Sequence, residues 1–261
     1  MIYTSSMSRK STVALILGIA IASAVAAINM PVAYSQTDGS KVSVVIDPAN
    51  KQNITGSIHI ALVWGERLTP PQNFSRGFIN LMEAMHRYTD INTVIDSHIF
   101  LSSPAMLKMP FIYVTSDNAF DISTVERDNL KKYFDAGGFM VLESATPAQG
   151  NNPARASLKQ MVREVLGAHA RFAPIPESHE LYHCFFDFNV PPQGAEISLR
   201  NNPVLYLEGV WYKDRLVAVY SDKGYIVKWN EMENNQPQLK MGVNFVVFSL
   251  TQKGGIAQAA Q

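Results

Sequence analysis

Hydrophobic positions along the chain change their period several times, and each change marks an element. Ser57 to Trp64 (SIHIALVW) is a nearly unbroken apolar run of strand length, the pattern of a strand covered on both faces. Phe74, Phe78, Leu81, Met82, Met85 and Tyr88 then recur at spacings of three and four, which is one face of a helix. Thr93 to Ile95, extending toward Phe100, predicts a short strand, and Phe111 to Thr115 (FIYVT) a second buried one. Ser123 and Glu126 stand three apart ahead of Leu130, Tyr133 and Phe134, a capping box opening a helix. Gly137-Gly138 suits the left-handed end of that helix, and Phe139 to Leu142 follows as a strand. Leu158, Met161, Val162 and Val165 place another helix over Ala154 to Leu166.

Strands alternating with helices at this spacing predict βαβ units around a central parallel sheet. After residue 166 the pattern changes. Proline-rich loops lead to two alternating runs, Leu205 to Tyr212 and Arg215 to Tyr220, separated by Lys213-Asp214, which predicts a C-terminal β-hairpin. Leu239 to Leu250 (LKMGVNFVVFSL) reads as a last helix on the sheet, its β-branched residues leaving a strand open. Residues 36–56 are polar apart from Val42 to Ile46 and read as a linker, with room for a short edge strand. The expected organisation is therefore a linker over 36–56, one α/β domain over 57–253 and a disordered tail over 254–261.

The segment before residue 36 belongs to targeting. Arg9 and Lys10 precede an apolar run from Val13 to Ile28, then Pro31, then Ala33-Tyr34-Ser35 with small residues at the positions a leader peptidase reads. About 16 helical residues span roughly 24 Å, short of a hydrocarbon core of about 30 Å. Cleavage before Gln36 and a periplasmic or secreted chain are expected; a single-pass anchor in the inner membrane is the alternative. Asn53 and Asn73 head Asn-X-Ser/Thr triplets, which matter only where exported proteins are glycosylated.

The 261 residues carry 22 basic and 22 acidic side chains, and 47% are hydrophobic, enough for a sizeable core. Removing Arg9 and Lys10 with the leader leaves a net charge of about −2, which argues against nucleic acid as a partner. Cys184 is the single cysteine, so no disulfide partner is expected within the chain and a Cys-only zinc or iron–sulfur site is excluded.

The stretches FIYVTSDNAFDISTVERDNLKKYFDAGGFMVLES, SHELYHCFFDF, EGVWYKDRLVAVYSDKGY and LKMGVNFVVFSLTQKG, in this order, resemble the bacterial family called domain of unknown function 4159. The resemblance spans roughly residues 57–253. It implies a flavodoxin-like sheet, mostly parallel and flanked by helices, similar to the class I glutamine amidotransferase-like superfamily. The resemblance implies an acidic pair after this strand, where this chain has Glu143-Ser144.

Ligands of open parallel sheets bind outside the carboxyl ends of the strands. The predicted strands end at Trp64-Gly65-Glu66, Ser116-Asp117-Asn118 and Glu143-Ser144, and Ser221-Asp222-Lys223-Gly224 closes the second hairpin strand. The candidate cleft is accordingly Trp64, Asp117, Glu143, His183 and Asp222, with His183 carried over the sheet's rim by the aromatic segment YHCFFDF. Polar loops that face water and cap helices are the plainer reading of the same residues.

An amidotransferase-like site would need a cysteine on a tight strand-to-helix turn, activated by a histidine. Gly137-Gly138 precedes a strand instead of following one, no G-x-C-x-G occurs, and Cys184 lies among aromatics, where it is expected to be buried and inert. His179 and His183 are four apart, but Pro174 and Pro176 weaken a helix there and no third ligand has a diagnostic spacing, so neither a metal nor another cofactor is expected. Two function classes follow. The first is an exported non-catalytic module of the cell envelope that binds a small polar ligand or an envelope protein. The second is a thiol-independent hydrolase or lyase using Asp117, Glu143 or His183 as acid and base. The missing nucleophile favours the first.

Overall fold

The computed structural model describes residues 42–47, 49–71, 75–145, 153–195 and 205–259. The leader, its cleavage site and Asn73 lie outside these residues.

Strands β1 (Val42–Ile46), β2 (Ile54–Trp64), β3 (Asp90–Phe100), β4 (Phe111–Ser116), β5 (Phe139–Ser144), β6 (Ala173–Pro174), β7 (Glu208–Tyr212) and β8 (Arg215–Ser221) build one sheet. Five of them run parallel, in spatial order β3-β2-β4-β5-β8. The other three run against their neighbours: β1 on β2, β7 on β8 and β6 on β7. The sheet is thus mixed, not mostly parallel as expected from the helix-strand alternation. Connection length explains the difference: a few residues join β1 to β2, and Lys213-Asp214 alone join β7 to β8, too few for any crossover. Both turn residues take positive φ, 51° and 59°, the geometry of a tight two-residue turn. The β7–β8 pair is not terminal, because three more helices follow it.

Helix α1 (Ser75–Tyr88) links β2 to β3, α2 (Thr124–Asp135) links β4 to β5, and α3 (Pro153–Leu166) follows β5. After β8 come the short α4 (Tyr225–Trp229), the long α5 (Gln236–Thr251) and α6 (Ile256–Ala259). Strand alternation assigns these helices to two layers. Phe111, Tyr113, Phe139, Val141 and Val219 face α1, α4 and α5, while Ile112, Val114, Met140, Leu142 and Ala218 face α2 and α3.

Ser123 caps α2 as its spacing requires: its hydroxyl accepts from the Glu126 amide, and Glu126 accepts from the Ser123 amide at 2.8 Å. The second Glu126 oxygen accepts the Glu66 amide, so the cap also fixes the turn after β2. Gly137, at φ 103°, closes the helix. Its carbonyl accepts the Ile256 amide, which docks α6 and gives residues 256–259 a helix where a disordered tail was expected. Within the region expected as a linker, Val42–Ile46 forms the short edge strand for which that reading left room, and the first three residues of β2 also join the sheet.

Helix α5 is buried almost all round, which is why its sequence lacks the polar face of an ordinary surface helix. Asn244, wholly buried within it, donates to the carbonyls of Leu181 and Phe186 and accepts the Phe186 amide. This side chain pins the aromatic segment 181–186 to the outside of α5.

Candidate functional site

Register brings the ends of four parallel strands level. Thr115 pairs with Glu143, Glu143 pairs with Ser221, and Leu62 with Tyr113 two residues below puts Trp64 on the same row. Trp64, Asp117, Glu143 and Asp222 therefore all stand at the carboxyl edge. Their surroundings differ sharply.

Glu143 is fully buried. It accepts hydrogen bonds from the Tyr113 hydroxyl at 2.6 Å, the Ser221 hydroxyl at 2.5 Å and the Ile226 amide at 2.7 Å, with the Tyr225 amide contributing. Burial pushes its carboxyl above the ordinary range, and these donors oppose the shift. Burial and the neighbouring Glu143 together hold the Tyr113 phenol well above its usual value. The arrangement joins β4, β5, β8 and the first turn of α4 through one carboxylate. Gly224 makes it possible, taking φ 69° so that the chain turns back and presents those amides.

Asp222 is nearly buried on the other side of the sheet. It accepts from the Arg155 guanidinium at 2.5 Å and the Tyr220 hydroxyl at 3.2 Å. Lys159, one turn further along α3, lies over the Tyr220 ring with its ammonium 4.4 Å from the centroid and bonds Glu208. Lys223, between this group and Gly224, is completely buried. Asp117 is half-exposed at the end of β4, accepting from Asn118 at 2.7 Å. Beside its loop is a depression of about 290 Å³ lined by Phe120, Asp121, Ile122, Ser157, Gln160 and Arg163, among others. Trp64, half-buried, stacks on His98 with centroids 5.5 Å apart.

His183 lies elsewhere. Its Nε2 faces the Glu177 carbonyl at 2.9 Å and its Nδ1 faces Asp187 at 3.3 Å. Lys51, in the turn before β2, donates to the His183 carbonyl and to Asp187. That turn is at the amino end of β2, and Phe186 nearby meets Tyr88, which precedes the amino end of β3. The eleven residues of β2 span about 33 Å. The expected grouping of His183 with the carboxylates therefore does not occur: the aromatic segment is held by Asn244 along α5 and by Lys51 at the opposite edge, not over the rim.

His179 caps the short turn Glu180–Tyr182, accepting the Leu181 amide, and packs against Trp211 and Phe248, where burial lowers its pKa. Cys184 is buried, its thiol 3.3 Å from the Asn244 carbonyl, and burial pushes its pKa up. Among the described residues no three His, Cys, Asp or Glu side chains form a group able to hold a metal, and no helix is long and apolar enough to cross a membrane.

Sequence reasoning missed Tyr113, Ser221, Arg155 and Lys223 at this edge. Tyr113 did leave a signal, since a hydroxyl inside an otherwise apolar strand must find a partner. Lys223 left none, because a lysine in an SDKG turn reads as solvent-facing.

Fold and site together define a mixed α/β domain whose carboxyl edge is organised around a buried carboxylate. The model of the family described as domain of unknown function (DUF4159) matches residues 61–250, and the chain belongs to that family. No curated protein matches it.

Proposed function

We propose that the protein is an exported, non-catalytic binding module of the cell envelope, with the carboxyl edge of its sheet as the binding surface. The observation that carries this reading is the commitment of Glu143 to structural donors. A carboxylate that accepts from Tyr113, Ser221 and the α4 amides at full burial is a keystone of the fold, not an acid or base open to substrate. Asp222 is engaged by Arg155 and Tyr220, and the Cys184 thiol is buried away from this edge. Asp117 and the depression beside its loop then offer the ligand surface, suited to a small polar molecule or a polar segment of an envelope protein.

In the parallel part of the sheet, counted in chain order, the second strand lies outside the first and the third, fourth and fifth follow on its other side. That order, with α1 and α5 on one face and α2 and α3 on the other, supports a flavodoxin-like arrangement, comparable with amidotransferase-like folds that have no thiol at this edge. Export rests on the leader-like sequence before Gln36.

Native mass spectrometry of the protein purified gently from the envelope tests the binding reading, together with N-terminal sequencing. A retained mass lost in Asp117→Ala, on a chain beginning near Gln36, is expected. Turnover of ester, amide or glycoside substrates that disappears in Asp117→Asn would replace the binding module with the hydrolase reading.

A further inference from the structure

Methionine sulfur is distributed very unevenly in this fold. Met85, Met106, Met109, Met140 and Met241 are fully buried, Met161 is 2% exposed and Met82 is half-buried. Met232 is 78% exposed, on the loop between α4 and α5. Its thioether is also held: Nη1 of Arg76, in the first turn of α1, donates to Sδ at 3.1 Å. A depression of about 190 Å³ adjoins the pair, lined by Asn80, Glu83, Arg87, Glu231 and Asn235 with Met232 itself. Asn80 reaches across to the carbonyls of Trp229 and Glu231, so this loop is tied to α1 at several points, and Arg76–Met232 is the outermost.

Exposure governs which methionines react with peroxides, and sulfoxide formation turns a weak sulfur acceptor into a polar oxygen. We propose that Met232 is a selective oxidation site for peroxides, and that its sulfoxide strengthens the Arg76 tie between α1 and the α4–α5 loop. In the step, a sulfur lone pair attacks one oxygen of hydrogen peroxide, the S–O bond forms and the O–O bond breaks. The departing hydroxide takes the proton from the new S–OH group and leaves as water. Sulfur loses two electrons and the peroxide gains them. The Arg76 N–H then has the sulfoxide oxygen as its acceptor in place of sulfur. Because Met232 packs into no core, the added oxygen displaces nothing, whereas the same reaction at Met140 or Met241 would open the sheet–helix interface.

The test is graded hydrogen peroxide treatment of the full chain, with peptide mapping and amide exchange. The +16 Da product at Met232 should form at least about tenfold faster than at Met82 or any other described methionine. Amide exchange over residues 230–235 should slow by about three- to tenfold on oxidation, as a weak sulfur acceptor gives way to a full hydrogen bond, and should not slow in Arg76→Ala. Met232→Leu should keep the fold and lose the first +16 Da product. Oxidation of Met82 at the same rate would overturn the selectivity. Unchanged or faster exchange in oxidised wild type, or equal slowing in Arg76→Ala, would overturn the tie.

Discussion

At the scale of single residues, Glu143 shows how one buried charge is made tolerable. Each donor around it is fixed by a neighbouring element, so the carboxylate is solvated by the fold itself. A protonated carboxyl is also accommodated, since its hydroxyl can donate to Ser221 or Tyr113 while still accepting a backbone amide. Glutamine is not, because its NH2 group would confront the Ile226 or Tyr225 amide and cannot accept from it. Glu143→Gln should therefore destabilise the domain by about 1 to 3 kcal/mol in urea unfolding. The pH dependence follows from the raised carboxyl. The folded chain keeps this proton to higher pH than the unfolded chain, so the group's contribution is full below the ordinary carboxyl range and is lost as pH rises through the folded value. The stability gap between wild type and Glu143→Gln should narrow as pH rises. A gap that widened would mean the donors outweigh burial. Asp135 runs the other way. Lys131 and Lys213 hold its carboxyl down at about 2, so its small, solvent-screened contribution is present above the ordinary range and fades as pH falls toward 2.

At the scale of elements, local chemistry was the most legible part of the sequence. The Ser123–Glu126 spacing, the Gly137 helix end and the 3.6-residue period of α3 each reappear in the structure, because each depends on residues within a few positions of one another. What was not legible depended on distant partners. β3 runs from Asp90 to Phe100 although its alternation is poor, since pairing with β2 along nearly its whole length compensates for weak patterning. β1 was legible only as a possible short edge strand at Val42 to Ile46; its antiparallel pairing with residues 54–58 is a tertiary fact that no local pattern carries. The capping box supplies the prediction at this scale. Ser123→Ala removes the side-chain acceptor for the Glu126 amide and the hydrogen bond to Glu66, and should cost about 1 kcal/mol. Glu126→Ala should cost more, because the amides of both Glu66 and Ser123 lose their acceptor next to a wholly buried position. Equal effects from the two variants in parallel urea titrations would show that the Glu66 amide bond to Glu126 adds nothing beyond what the Ser123 hydroxyl contributes.

At the scale of the whole molecule, the sheet separates two regions that the sequence had drawn together. Asp117, Glu143 and Asp222 share an edge because parallel strands end at one side, a consequence of topology that residue patterns do carry. His183 was assigned to that edge only because its segment lacks regular structure, and irregular structure says nothing of where a loop goes. Its position is decided by Asn244 in mid-α5 and by Lys51 at the amino end of β2, contacts spanning 58 and 132 positions of chain. The two regions are about a strand length apart, so their energetics should be independent. His183→Ala removes the contacts to Asp187 and the Glu177 carbonyl and should lower stability by less than about 1 kcal/mol, as expected for a partly exposed group. Combined with Glu143→Gln, the two losses should add to within about 0.5 kcal/mol, the tolerance for distant sites. Any mass retained at the carboxyl edge in native spectra should survive His183→Ala. A coupling above 1 kcal/mol in the double-mutant cycle, or loss of that ligand, would mean that the aromatic segment reaches the carboxyl edge in solution and that the two regions form one site.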